Sequence, residues 1–300
     1  MKEAQPRATQ LKDYRPPHFL IETVDLVFDL RDRGTRVRAA LTLSLNPAAG
    51  ARPASLRLDG EGLTPIWLRL DGRELHADRY RTDAESLTLF DPPERFLLES
   101  EVEIAPEANT ALEGLYRSDG MFCTQCEAEG FRKITWFLDR PDVMARFTTR
   151  IEADATSCPV LLSNGNPLER GALPEGRHYA VWDDPFPKPS YLFALVAGDL
   201  EWVEGRHTTP SGREVQLRIY VEPENIDKCD HAMRSLKHAM RWDEERYGRE
   251  YDLDVYNIVA VNDFNMGAMD NKGLNVFNAR YVLARPDTAT DQDFLGIEGV

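Results

Sequence analysis

The stretch from residue 20 to residue 45, LIETVDLVFDLRDRGTRVRAALTLSL, alternates apolar and polar side chains in two runs that a short polar segment separates. A period of two places every second side chain on one face of a β-strand, so each run predicts a half-buried strand. Asp32-Arg33-Gly34 has the composition of a β-hairpin loop. The alternating apolar residues are Val24, Leu26, Phe28 and Leu30 in the first run and Val37, Ala39, Leu41, Leu43 and Leu45 in the second.

The same kind of pattern extends to about residue 199, with Gly, Pro and Asp between the runs. Short strands separated by turn residues are typical of an antiparallel β-sandwich or saddle, which we predict for residues 1–199. The proline-rich segment Asp184–Pro189 is interpreted as a stiff connection into the last run. The further strand-like runs are Ile66–Leu70, Leu98–Ile104, Arg146–Ala153 and Tyr191–Val196.

The pattern becomes mixed after residue 199. Val215–Val221 alternates like a further strand, and apolar residues then recur at spacings of three and four, which predicts an amphipathic helix. Asn225 is a suitable start for this helix and Gly248 a suitable end. Strand-like runs follow at Leu253–Val261 and Gly273–Leu283. The predicted fold class is therefore mostly β, with an α+β C-terminal part.

Charge and composition argue against several classes of protein. The 300 residues are enough for about two domains, and 36 Lys and Arg against 51 Asp and Glu give a net charge of −15. Such an acidic chain is a poor partner for nucleic acid or an anionic membrane. No apolar run approaches the roughly 20 residues that span a bilayer. The polar start of the sequence and its four cysteines favour a cytoplasmic location.

Cys123 and Cys126 form a CxxC pair, whose functional interpretations are zinc binding and thiol redox chemistry. A zinc site would need a second pair of ligands, and Cys158 and Cys229 are isolated in the sequence. The surrounding residues lack the βαβ pattern of a thioredoxin-like fold, so a reduced pair in a loop is the favoured interpretation. The six histidines give no HExxH motif and no i, i+4 pair for a metal.

Two acidic loops remain as candidates for chemistry. Glu127 and Glu129 lie in CEAEG, residues 126–130, and Asp270 lies in GAMDN, residues 267–271, between two strand-like runs. Carboxylates in such loops are either solvated turn residues or ligands for a positively charged group. The residue pattern alone favours the solvated turn and leaves the second alternative open.

Three long segments resemble one known family. NMGAMDNKGLNVFNARYVLARPDTATDQDFL, residues 265–295, resembles the region that holds the GAMEN signature of the aminopeptidase N family of zinc metallopeptidases, which are gluzincins. NTALEGLYRSDGMFCTQCEAEGFRKITWFLDRPDVMARFTTR, residues 109–150, and DPFPKPSYLFALVAGDL, residues 184–200, resemble the bacterial alanyl aminopeptidase N branch. The similarity runs in family order from Tyr14 to Val300, which makes it more specific than a lone short motif.

The resemblance implies a fold, a cofactor and a substrate class. An N-terminal β-saddle domain, residues 1–199, would precede the start of a thermolysin-like catalytic domain, residues 200–300. The full-length enzyme would use Zn²⁺ and act on peptides with a free N-terminus. The family's HExxH helix and its downstream Glu ligand are absent from the 300 residues, and the helix expected to begin at Thr290 would lead toward HExxH. We therefore expect this chain alone to bind no catalytic zinc and to be inactive.

The resemblance also assigns a substrate-binding site, with no catalytic residue in this chain. Glu127 and Asp270 would hold the α-ammonium group of the substrate, because charge-assisted hydrogen bonds to carboxylates are strong in a partly dry pocket. The family has Glu where this chain has Asp270, and the shorter side chain is expected to weaken ammonium recognition. The other implied residues are Gly267 and Ala268, whose backbone would lie against the peptide, Met269 and Asn271 of the same motif, and Gln125 and Met266, which would line the pocket for the first side chain.

Two other functions are alternatives to the enzyme. A non-catalytic binding or scaffold protein can reuse the same fold, since a fold alone does not decide function. Loss of HExxH from any sequence beyond Val300 would favour this alternative. A thiol-redox module at Cys123 and Cys126 is more distant, and a dithiol potential near those of known oxidoreductases would favour it.

Overall fold

The computed structural model describes residues 10–50 and 52–300, and most of its regular structure is β. The predicted fold class is confirmed. The strands before residue 200 are β1 (Phe19–Asp29), β2 (Thr35–Leu45), β3 (Ser55–Asp59), β4 (Thr64–Leu70), β5 (Arg73–Glu74), β6 (Tyr80–Thr82), β7 (Ser86–Phe90), β8 (Arg95–Ile104), β9 (Gly114–Ser118), β10 (Met121–Gln125), β11 (Met144–Asp154), β12 (Val160–Ser163), β13 (Asn166–Ala172), β14 (Arg177–Pro189) and β15 (Leu195–Gly198).

These strands form three sheets in the described part of the chain. The largest has eight strands in the order β13-β14-β11-β1-β2-β8-β4-β5, the second has four strands in the order β12-β15-β10-β9, and the third is β3-β7-β6. The hairpin predicted from residues 20–45 is the centre of the large sheet. Val24 lies opposite Leu41 and Phe28 opposite Val37 in the antiparallel pair of β1 and β2, and all four side chains are buried.

One strand pair departs from the antiparallel pattern that the sequence predicts. β1 pairs in parallel with β11, with Val24 opposite Phe147 and Phe28 opposite Ile151. The chain between these strands runs through both smaller sheets, so it has ample length to return in the same direction. The prediction of a purely antiparallel sheet is therefore wrong at this position.

An aromatic cluster fills the core of this first part. The Phe131 ring is fully buried, and its centroid lies 4.9 Å from that of Phe137, 5.9 Å from that of Phe147 and 5.3 Å from that of Phe193, all edge to face. Aromatic pairs prefer this geometry, which adds to the free energy of burial. Phe28 of β1 stacks on Phe193 with centroids 5.8 Å apart. The central hairpin and the segment before β15 therefore share one core.

Strand pairing changes between Gly198 and Glu201. β15 ends at Gly198 in the four-stranded sheet, and Glu201 begins the first strand of a separate five-stranded sheet. Its order is β16-β17-β18-β20-β19, in which β17/β18 and β18/β20 are parallel. The elements of this second part are β16 (Glu201–Thr208), β17 (Glu214–Val221), α1 (Asp230–Tyr247), β18 (Val255–Val261), β19 (Ala268–Met269), β20 (Leu274–Asn278) and α2 (Asp291–Gly299).

The five-stranded sheet is covered on both faces. Leu217 and Ile258 belong to a buried cluster that includes α1 and α2. Val259 and Val276 belong instead to the buried cluster that holds the core of the first part. The two parts share this apolar core. Loops from the two parts that meet beside it are therefore held in a fixed position relative to one another.

Several predicted element boundaries are wrong. The helix begins at Asp230 rather than Asn225, because Pro223–Lys228 forms a 3-10 helix. Its predicted end is correct, since Gly248 adopts the left-handed conformation with φ of 63°. The run predicted at Tyr191–Val196 contains a 3-10 helix over Ser190–Leu192, and those at Leu253–Val261 and Gly273–Leu283 form strands only over Val255–Val261 and Leu274–Asn278.

The proline-rich segment Asp184–Pro189 is part of β14 and not a connection. It pairs with β11 on one side, where Lys188 lies opposite Ala145, whereas pairing with β13 ends at Asp183. Proline cannot donate to a ladder, so it is tolerated in a strand only where one edge is open or irregular. The register is irregular between Ala145 and Phe147, which matches this requirement.

The helix predicted to begin at Thr290 forms with the expected capping box. The Thr290 hydroxyl accepts a hydrogen bond from the Asp293 backbone N–H at 3.3 Å. The Asp293 carboxylate in turn accepts one from the Thr290 backbone N–H at 2.8 Å. Two N–H groups at the start of α2 are thus satisfied, and Asp takes the place of the usual Glu or Gln.

The Phe131 cluster generates a prediction about stability. Phe131→Ala is expected to lower the free energy of unfolding by about 3–5 kcal/mol, because it removes a fully buried ring and leaves a cavity. Phe90→Ala is the matched control, since Phe90 is 36% exposed, and its expected loss is below about 1 kcal/mol. Urea denaturation followed by far-UV circular dichroism measures both. Equal losses in the two variants would contradict the assignment of Phe131 to the core.

Candidate functional site

The first acidic loop follows a fully buried strand. β10 pairs with β9 on one edge and β15 on the other, and its last residue, Gln125, is 2% exposed. The chain then turns, with the Gly130 N–H donating to the Cys126 carbonyl at 2.8 Å. A Cβ at Gly130 would lie 2.5 Å from the Gln125 carbonyl oxygen, so only glycine closes this turn. The turn places Glu127, Ala128 and Glu129 at the surface.

The two glutamates of this loop differ in their partners. Glu129 forms an ion pair with Arg132 at 3.3 Å, and Arg132 also binds the buried Asp139 at 3.0 Å. Glu127 has no hydrogen bond or ion pair with any residue that the structure describes. Its carboxylate is therefore the one in this loop that is free to receive a positively charged group.

The second acidic loop crosses back to the first part of the protein. Asp270 is exposed and follows the edge strand β19, whereas the next residue, Asn271, is fully buried. The Asn271 amide donates to the Leu192 carbonyl at 2.8 Å. Asn164 donates to the same carbonyl at 3.0 Å and to the Lys272 carbonyl at 3.2 Å. The loop is thus fixed to the first part by two asparagines that share one acceptor.

Close backbone packing reinforces this attachment. Gly273 has φ of 82°, and a Cβ there would lie 2.8 Å from the Gly165 nitrogen. The Gly165 N–H donates to the Lys272 carbonyl at 3.3 Å. Glycine is required at 273 both by its left-handed conformation and by this close approach.

The two acidic loops also contact each other directly. The Gln125 side-chain amide donates to the Met266 sulfur, with 2.9 Å between nitrogen and sulfur. Nearby, Ser118 donates to the Asp263 carboxylate at 2.9 Å, and the Tyr116 hydroxyl donates to the Asp263 carbonyl at 3.1 Å. We call this meeting of residues 116–130 and 263–273 the junction. Glu127 and Asp270 therefore belong to loops that are attached to one another.

The sequence-predicted site residues differ in what they present at the junction. Glu127, Asp270 and Gly267 are exposed, Met266 is at the surface and Ala268 is half-buried. Met269 is 2% exposed and Asn271 is 0% exposed, so both side chains point into the protein and serve the scaffold. Gln125 is buried with its Oε1 unpaired among the described residues.

Electrostatics at the junction are acidic. Asp270, like Glu127, forms no ion pair or hydrogen bond within the described ranges. Burial raises the pKa of Tyr256, and the negative charge of Asp270 adds to this effect. Two carboxylates without a cationic partner suit the binding of an ammonium group.

Several residues that build the junction were not found from the sequence. Asn164, Arg132 and the Ser118–Asp263 pair position the loops but belong to no motif. The only local signal was Asn164-Gly165, an ordinary turn dipeptide. Their role depends on partners that are distant along the chain, and a single sequence does not reveal such pairs.

Neither a metal centre nor a membrane-spanning helix is found among the described residues. No group of three or more His, Cys, Asp and Glu side chains within residues 10–50 and 52–300 could hold a metal ion. The described residues therefore do not fit the zinc that the resemblance implies for the whole enzyme. No helix in those ranges is long and apolar enough to cross a bilayer.

The CxxC cysteines lie inside the protein. Cys123 and Cys126 are both 0% exposed and unbridged. Burial raises the pKa of Cys123 to about 12 and that of Cys126 well above its usual value. Because the thiolate is the reactive form, both thiols are held in their unreactive state.

Most of the sequence matches one family of proteins. The family profile described as Peptidase M1 N-terminal domain matches residues 77–192, and the profile described as Peptidase family M1 domain matches residues 231–300. The chain belongs to the M1 family of peptidases, and the resemblance stated from its sequence is confirmed.

Individual relatives are similar over the whole chain. Aminopeptidase N of Caulobacter vibrioides is 56% identical over 300 residues, which are 100% of this chain and 34% of the relative. Aminopeptidase N of Escherichia coli is 55% identical over 296 residues, 99% of this chain and 33% of the relative. The crystal structure of Legionella pneumophila aminopeptidase A in complex with aspartic acid has a TM-score of 0.92 and 36% identity, covering 97% of this chain and 34% of that one. The chain thus spans about a third of the length of these relatives.

The burial of the thiols generates a prediction. In the native protein at pH 8, Ellman's reagent is expected to label neither Cys123 nor Cys126 within minutes, whereas the unfolded chain exposes all four cysteines. Ala155→Cys is a positive control, because Ala155 is exposed, and it should add one rapidly labelled thiol. Rapid native labelling at Cys123 or Cys126, or a disulfide between them in glutathione buffer, would contradict the assignment and favour the redox alternative.

Proposed function

We propose that this chain is the substrate-anchoring part of a cytoplasmic zinc aminopeptidase that removes N-terminal residues from peptides. The observation that carries the proposal is the pair of carboxylates Glu127 and Asp270, which have no partner among the described residues and lie on two loops joined by the Gln125–Met266 contact. The relatives that bear the name aminopeptidase N support the reaction class. Four buried, unbridged cysteines support the compartment.

The anchoring chemistry follows from the α-ammonium group of a peptide. This group carries one positive charge and three N–H donors, which need anionic or polar acceptors. Glu127 and Asp270 offer charged acceptors at the surface. Charge-assisted hydrogen bonds are about twice as strong as neutral ones, so a blocked N-terminus would bind far more weakly.

The edge strand β19 supplies a surface for the substrate backbone. Ala268 and Met269 pair with β20 on one side only, and an open strand edge can add an extended peptide by main-chain hydrogen bonds. Gly267 has no side chain to obstruct this approach, and a Cβ there would meet only the Tyr281 ring, at 3.3 Å. The solved Legionella pneumophila relative is in complex with aspartic acid, a free α-amino acid, which is consistent with this anchor.

When bound in the whole enzyme, zinc would polarise the scissile carbonyl and activate water, but the described residues form no group that could hold it. The contribution of this chain would be to hold the ammonium group of the substrate through Glu127 and Asp270. The 300 residues alone are expected to be inactive.

A chimera tests the anchor. In it, this chain replaces the matching region of the Caulobacter relative, to which it is 56% identical. Glu127→Gln is expected to raise KM for an alanyl chromogenic substrate by about 10- to 100-fold, since a charged hydrogen bond is lost. Glu129→Gln is the matched control, because Glu129 is paired with Arg132, and it should change KM less than about threefold. Equal effects, or a properly folded but inactive parent chimera, would refute the proposal and favour the scaffold alternative.

The identity of residue 270 gives a second prediction. In the same chimera, Asp270→Glu is expected to lower KM, because the longer side chain moves the carboxylate toward the ammonium group, and misplacement of about 1 Å can cost on the order of 100-fold. Asp270→Asn keeps the length and removes the charge, so it should raise KM. Steady-state kinetics on all three chains measure the effect. Identical KM and kcat for the Asp270 and Asp270→Glu chains would show that the length of this side chain does not affect substrate binding.

A further inference from the structure

Polar residues occupy an unexpected position in the five-stranded sheet. In β17, Val215, Leu217 and Ile219 are buried toward α1, so Gln216 and Arg218 face the first part of the protein. Further along the same face, the sheet presents apolar residues that join the shared core. A buried sheet face is normally apolar throughout. The polar residues Gln216 and Arg218 therefore mark a place where this face does not pack against the core of the first part.

A cleft opens at this place, between the two parts of the chain. Its volume is about 500 Å³, and strands β12, β13 and β14 form one wall while β16, β17 and β18 form the other. The residues that matter for its chemistry are Leu168, Arg170, Trp182, Trp202, Arg218 and Asn257. The cleft shares no lining residue with the junction. Concave sites of this size, with aromatic walls and few polar groups, are typical of small-molecule binding.

Two nitrogen atoms in this cleft lack hydrogen-bond partners in the described part of the chain. Asn257 is 1% exposed, and its Nδ2 donates to no acceptor there. Arg218 Nε is likewise buried and unsatisfied, because the nearby Glu204 carboxylate, at 3.5 Å, is not aligned for a hydrogen bond. Leaving a buried donor unsatisfied costs free energy that a ligand acceptor would recover.

An aromatic surface lies beside these donors. The Arg218 guanidinium carbon is 5.5 Å from the centre of the Trp202 ring, and the Trp202 and Tyr220 centroids are 5.7 Å apart. Trp202 is 44% exposed, so its ring is available to an apolar group. The cleft thus combines hydrogen-bond donors for an anionic group with an aromatic surface for the apolar part of the same ligand.

We propose that this cleft binds a small monocarboxylate with an aromatic or apolar body. The carboxylate would accept hydrogen bonds from Arg218 and Asn257, and guanidinium groups suit carboxylates through their fork of donors. The body would lie against Trp202 and Leu168. The ligand would thus contact both parts of the chain.

Unused donors, rather than net charge, favour an anion in the cleft. Arg170 and Arg218 are balanced by Glu169 in the lining and by Glu204, which lies 3.5 Å from Arg218 Nε. The Glu169 carboxylate already accepts a hydrogen bond from the Tyr179 hydroxyl. Among the described residues, Asn257 Nδ2 and Arg218 Nε remain donors without an acceptor.

The test uses the whole 300-residue chain with phenylacetate as the probe. A ligand-observed NMR titration is expected to show saturable binding with Kd between about 0.1 and 1 mM, as suits so small a ligand. 2-Phenylethylammonium has the same ring with the opposite charge, and it should show no saturation. Acetate lacks the ring, and it should bind at least about tenfold more weakly.

Two variants locate the site. Arg218→Gln is expected to raise the Kd for phenylacetate at least about tenfold. Trp202→Ala is also expected to raise this Kd, and because it alters an exposed ring it tests the site even if Arg218→Gln fails to fold. Arg36→Gln is the matched control, because Arg36 is a surface residue of β2 with ion partners at 3.8 and 3.9 Å, and it should leave Kd unchanged. No saturation by about 10 mM phenylacetate, an unchanged Kd in both cleft variants, or equally tight binding of 2-phenylethylammonium would each overturn the proposal.

Discussion

The Leu192 carbonyl oxygen accepts hydrogen bonds from two asparagines that come from different parts of the chain. Asn164 lies in the first part and Asn271 in the acidic loop of the second. Each such bond contributes only about 0.5–1.5 kcal/mol, but leaving a buried amide unpaired would cost more. This shared acceptor therefore specifies where the loop lies, and the position of Asp270 depends on it.

The rest of the junction builds on that constraint. Leu192 precedes β15, which pairs with β10, and β10 leads directly into the loop of Glu127. A path of hydrogen bonds and chain connections thus runs from Asn271 through Leu192 and β15 to Gln125, and the Gln125–Met266 contact closes it. Because the path is buried and its sheets share an apolar core, the exposed carboxylates are held on rigid supports, which favours selective binding.

Local sequence patterns predicted the strands but not their long-range partners. The alternation in residues 20–45 depends on neighbours only, and the hairpin was correct. The parallel pairing of β1 with β11, the strand at Asp184–Pro189 and the 3-10 helix before α1 depend on contacts that no local period encodes. At the site, residue pattern alone favoured solvated turns for Glu127 and Asp270, and only the family resemblance singled them out. Nothing in the sequence indicated that Asn271 would be buried or that Asn164 would share its acceptor.

The two carboxylates at the junction, Glu127 and Asp270, differ from the other acidic residues around them. Elsewhere near it, acids are paired: Glu129 and Asp139 with Arg132, and Asp252 with Lys272. Glu127 and Asp270 have no counterion among the described residues. Uncompensated groups on a rigid scaffold are expected where a ligand supplies the missing charge. In the proposed function, a bound ammonium group would supply the missing charge and form charge-assisted hydrogen bonds, and a blocked N-terminus would supply neither.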